Sequence, residues 1–164
     1  MAYDIYDASI PPLIHMLGGL SNVLSKGDAH GGIDPNEARL APDMLPLKAQ
    51  VFIATDMAKG CGARLTGTEP PKYEDTETSF AELKARVAKT IAFLKGLDRK
   101  NFAGAEGKEI VLKFPKVTFE FNGADYVGNF VLPNVYFHIT TAYGILRNRG
   151  VALGKGDYLG GGKE

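Results

Sequence analysis

Three histidines and one cysteine are the side chains of this chain that could titrate or act as nucleophiles near neutral pH. Their neighbourhoods differ. His138 stands inside PNVYFHITTAYGILRNRG, residues 133–150, a long apolar run. An imidazole there is a metal ligand, a general base, or a core residue satisfied by one hydrogen bond. His15 falls nearly opposite the leucine stripe of its own segment and reads as solvated. His30 lies beside two glycines in a connection and reads as exposed. Cys61 sits between two glycines on a stripe of small residues, with no adjacent histidine or lysine, and reads as a small core residue. One thiolate makes neither an intrachain disulfide nor a cysteine-based metal site.

The elements that must position these groups are written in the hydrophobic period. Ser9, Pro11 and Pro12 resemble a cap and first turn, and Leu13, Met16, Leu17, Leu20 and Leu24 follow at helical spacing, with Gly27 as a stop. After a long connection over 28–42, a second helix is expected from near Asp43 to about Leu65, closed by Gly67. Its inner stripe is Met44, Leu47, Val51, Ala54, Ala58, Cys61 and Leu65, with Gln50 at one edge. A buried amide needs partners. A polar loop, 66–79, leads to a capping box at Ser79 and Glu82, an apolar face of Phe80, Leu83, Val87, Ile91 and Leu94, and a stop at Gly96. The period then changes to two. Ile110, Leu112 and Phe114, then Val117, Phe119 and Phe121, form a β-hairpin whose aromatic face must pack on helices.

The last helix is expected over 123–149. In an unbroken α-helix, Val127, Val131, Asn134, His138, Thr141, Ala142 and Ile145 share one stripe, which places Asn134 and His138 one turn apart on the centre of the buried face. Leu132, Tyr136, Ile139 and Tyr143 gather on the other side and call for a second cover, the hairpin or another copy of the chain. The final residues, 160–164, read as a disordered tail of a single domain spanning 1–164.

Composition narrows the functional classes. Nineteen basic and nineteen acidic residues leave no net charge, and no basic block marks a nucleic-acid binder. No apolar run approaches the roughly 20 residues of a membrane span, and the first residues lack a signal-peptide pattern. The expectation is a cytoplasmic protein with neither nucleic-acid nor membrane partners.

Four helices with a hairpin before an inward-polar last helix describe an all-α four-helix bundle. The runs RLAPDMLPLKAQVFIATDMAKGCGARLTG, EDTETSFAELKARV and LPNVYFHITTAYGILRNRGVALGKGDYLG resemble a bacterial family of unknown function, numbered nineteen ninety-three. It is similar to the larger DinB and YfiT-like metalloenzyme superfamily. The resemblance implies a DinB-like bundle. It also implies a divalent metal held by one histidine on the second helix and two at i, i+4 on the fourth, followed at fixed distance by arginine and glycine. Counting back from Arg147 and Gly150 puts the second of those histidines on His138 and the first on Asn134. No histidine stands on the second helix, where Gln50 is the polar substitute, with Asp43 one to two turns earlier. An amide is a poor donor to zinc or nickel. The expected site is therefore Gln50, Asn134, His138 and Asp43, without metal or other cofactor. His138 is the one candidate for a metal ligand or a catalytic group. The leading expectation is a buried polar network in a structural, homodimeric protein. The alternatives are a small-molecule binder or metal-free enzyme using the former metal pocket, and a metal-dependent hydrolase or thiol transferase of the DinB type.

Overall fold

Capping sets where the helices begin. In the computed structural model, which describes residues 3–160, helix α1 runs over Ile5–His30. Its start is four residues earlier than Ser9 because Asp4 and Asp7 close a reciprocal capping box. Pro11 and Pro12 therefore lie inside the helix. Buried Ser9 donates its hydroxyl to the Ile5 carbonyl at 2.6 Å. Gly27 is no stop but a point of close approach: a methyl group there would meet Leu146 and Phe80. The helix ends at Gly31, whose positive φ of 73° suits glycine.

Helix α2, Leu47–Thr66, begins behind Pro46 rather than at Asp43. The turn over 42–43 and the extended Pro46 separate Asp43 and Met44 from the helix. Leu47, Val51, Ala54, Ala58, Cys61 and Leu65 form the buried stripe, and Gly67 closes the helix in the left-handed region. Helix α3, Phe80–Lys95, starts at the Ser79–Glu82 capping box and ends at Gly96. Strands β1, Glu109–Phe114, and β2, Val117–Asn122, pair antiparallel, with Ile110 opposite Phe121 and Leu112 opposite Phe119. A short turn of helix, α4, Gly123–Asp125, leads through a π-helical segment, Tyr126–Val131, into α5, Leu132–Asn148.

The long helices form a bundle in which α1 packs against α3 and α5, and α2 against the same two. Helices α1 and α2 thus lie on one diagonal, α3 and α5 on the other. This explains the two elaborate connections: 31–46 and the hairpin-bearing 96–122 each cross a diagonal, whereas 67–79 joins neighbours. Ile110 and Leu112 of the hairpin join the core, and Phe121 stacks among Phe119, Tyr126 and Phe130.

The C-terminal segment is more ordered than its glycines suggest. A single turn, α6, Lys155–Tyr158, docks on α1. Asp157 accepts from the Gly154 amide at 2.8 Å and pairs with Lys26 at 2.6 Å, and Tyr158 packs edge-on against Tyr143 at 6.5 Å. A side chain at Gly19 would overlap the Tyr158 carbonyl. The expected disordered tail falls, beyond Gly160, outside the described residues. No helix of the described chain is long and apolar enough to cross a membrane.

Candidate functional site

His138 and Gln50 meet between α5 and α2. Nδ1 of His138 lies 2.7 Å from Oε1 of Gln50, and the Gln50 amide nitrogen donates to the Leu45 carbonyl at 2.9 Å. With its NH₂ committed to Leu45, Gln50 presents its oxygen as an acceptor, so Nδ1 carries the imidazole hydrogen and Nε2 keeps its lone pair. Gln50 is only 2% exposed. Its position on the edge of the α2 stripe buries it, and both ends of the amide are satisfied, as a buried amide requires. His138 is half-buried, and loss of solvent holds its pKa below that of an ordinary imidazole. The Phe137 ring stands edge-on to the imidazole at 5.1 Å and is itself 57% exposed.

Asn134 does not join this pair. Its side-chain nitrogen donates to the Phe130 carbonyl at 2.7 Å, and the residue is half-buried, off the centre of the packed face. The cause is the π segment. An i→i+5 turn accommodates about one extra residue, so everything beyond it lags an ideal α-helix by roughly 100°. The buried line becomes Val127, Val131, Val135, Ile139, Ala142 and Leu146, with Thr141 and Ile145 beside it. Ile139, expected on the outer side, is wholly buried, and His138 turns to the margin. No motif in 126–131 announces a π turn. The polar surfaces of Asn134 and His138 are the sole hint, because burying both at the centre would have needed two more partners.

Asp43 is exposed in the connection before α2, and among the described residues no hydrogen bond or ion pair joins it to His138. His15 and His30 are exposed. Cys61 is fully buried, and burial pushes its thiol up to about 12, which leaves no thiolate at neutral pH. Among the described residues no three histidine, cysteine, aspartate or glutamate side chains come together to hold a metal ion. At His138 the donor set is one imidazole and one amide oxygen, and that oxygen is already bonded to the imidazole. These residues do not fit a chelating centre.

One charged cluster escapes a reading confined to histidine and cysteine. Arg86 of α3, its side chain 1% exposed, reaches Asp56 at 2.9 Å, Asp75 at 3.0 Å and Glu77 at 3.2 Å, and donates from Nε to Thr55 at 2.8 Å. Its guanidinium also lies over the rings of Phe52 and Tyr73. The signal was an arginine three residues after Leu83 on an apolar face, following an acid-rich loop. The cluster straps 67–79 across α2 and α3.

The bundle is of the DinB class of fold, as its likeness to a solved structure shows. A solved structure of a DinB family member protein from Shewanella denitrificans is similar over 97% of this chain and 93% of its own, at 39% identity and a TM-score of 0.86. Residues 5–159 match the family described as a domain of unknown function (DUF1993), and the chain belongs to that family. No curated protein gives a significant match.

Proposed function

We propose that this protein is a metal-free, single-domain member of the DinB-like class, residing in the cytoplasm, in which a Gln50–His138 clasp occupies the place of a metal centre. It works by association with a second copy of itself rather than by metal-dependent hydrolysis or thiol transfer. The observation that carries this reading is the closed hydrogen-bond chain from the Leu45 carbonyl through Gln50 to His138 Nδ1. It ties the start of α2 to the middle of α5 with both amide ends used, which favours a register-fixing role. Exposed Tyr136 and Phe137, directly before His138 on α5, supply an apolar face for association.

Elemental analysis of protein purified without a histidine tag tests the first half: zinc, nickel, iron and manganese should all be far below one equivalent. A stoichiometric metal removed by chelator overturns the reading. His138→Ala should cost about 1–3 kcal/mol in urea unfolding, because it leaves the buried Gln50 oxygen without its donor.

A second reading rests on the other imidazole nitrogen. Nε2 has no hydrogen-bond partner among the described residues, and Phe137 and Leu45 present apolar surface near the pair. That combination suits a small-molecule contact or a general base. Thermal stabilisation by a metabolite that vanishes in His138→Ala would favour this reading over the clasp alone.

A further inference from the structure

We propose that the cleft between the start of α1 and the π segment binds a small amphipathic amine, an ammonium carried on a hydrocarbon or aromatic body. The cleft has a volume of about 590 Å³, within the span of small-molecule sites, roughly 300–1,000 Å³. Ile5, Ala8, Val127 and Leu132 make its floor apolar, while Asp4 and Glu106 stand on its rim. Neither Gln50 nor His138 lines it, so the site is independent of the clasp.

Charge selects the occupant. Among the described residues no lysine or arginine lines the cleft. The neighbouring Arg99 is shared between two carboxylates, at 2.8 Å from Asp4 and 2.5 Å from Asp7, which leaves that group one negative charge in excess. Glu106 forms no ion pair among the described residues. The positive end of α1 is already answered by the Asp4–Asp7 capping box. An apolar floor under a net negative rim disfavours carboxylate ligands and favours a cation with an apolar tail.

The π segment shapes the same wall. Gly128 lines the cleft, and a methyl group added there would meet nothing within 4 Å. Gly128 is exposed, so a larger side chain there has open space beside the cleft. Glycine is otherwise unfavourable in a helix, and π turns recur at functional sites.

The test titrates the full chain with n-hexylamine and phenethylamine, and with hexanoate and hexanol as matched controls, by calorimetry and by chemical-shift perturbation. Saturable binding of the amines is expected, with hexanoate at least tenfold weaker and shifts centred on Ile5, Ala8 and Val127. Glu106→Gln should weaken the amines roughly threefold, in line with a partly exposed ion pair. Gly128→Leu should abolish binding while the melting temperature holds, and Ala124→Leu, at an exposed lining residue, repeats the test if Gly128→Leu misfolds. The proposal is overturned if hexanoate matches the amines, if both leucine variants bind as the parent does, or if no amine saturates by about 10 mM.

Discussion

His138 takes its tautomer from its neighbour. Because the Gln50 oxygen accepts from Nδ1, protonation adds a hydrogen at Nε2, where no protein acceptor waits among the described residues. The clasp survives protonation, but the half-buried charge is disfavoured, and the folded pKa is depressed by desolvation. The sign follows directly. Between the folded and unfolded pKa values the unfolded chain binds more protons, so stability is full above the ordinary imidazole range and is lost as pH falls through that range towards the folded value. Urea midpoints at about pH 7.5 and pH 5.5 should show the parent losing stability on acidification, and His138→Leu losing less. An identical loss in both proteins would remove His138 as the cause. Identity and spacing named this residue and Gln50 from the chain alone. They could not single out Gln50 over Asn134 and Asp43 as its partner, because a bond of 2.7 Å between residues 88 apart depends on how α2 and α5 sit against each other.

Among the elements, α5 shows most plainly where periodicity stops. Val127, Val131, Ala142 and Ile145 are buried as their spacing predicts, yet Val135 and Ile139 displace Asn134 and His138 from the centre. One π turn does this, and a π turn has no composition of its own. Capping was legible where the side chains make the bonds, as at Ser79 and Glu82. It misled at Ser9, because the Asp4–Asp7 box upstream offered a competing start whose reciprocal bonds form in the structure. Arg86 belongs to this scale as well, since it joins two helices to the loop between them. Arg86→Met should cost about 1–3 kcal/mol, since it removes the hydrogen bonds to Thr55, Asp56 and Glu77 while the carboxylates left behind keep access to solvent. The same change should make the 67–79 segment the first site of limited proteolysis. A variant as stable and as protease-resistant as the parent would show that packing against Phe52 and Tyr73, not charge, holds the strap.

For the molecule as a whole, the balance of nineteen positive and nineteen negative charges leaves apolar surface as the main handle for association. The outer side of α5 is partly covered from within, because Tyr143 packs on Tyr158 of α6 and Ile139 is buried. Tyr136, 38% exposed, and Phe137 remain open. If this face joins two copies, Tyr136→Glu with Phe137→Glu should convert a dimer to a monomer in light scattering without changing the helical circular dichroism. A parent that is monomeric at about 100 μM, well above the Kd of an ordinary stable dimer, would refute the self-association.

By itself the sequence determined the number of long helices, the presence of the hairpin, and most of the apolar stripes of α2 and α3, since each is a local pattern of period 3.6 or 2. Tertiary structure alone decided which helices face one another across the diagonals, the rotation of α5 beyond the π turn, the pairing of Gln50 with His138 without Asn134 or Asp43, the docking of α6 through Asp157, and the cleft beneath Glu106. These depend on close packing between segments distant in the chain. Such packing is a property of the assembled bundle, to which no single helical period gives access.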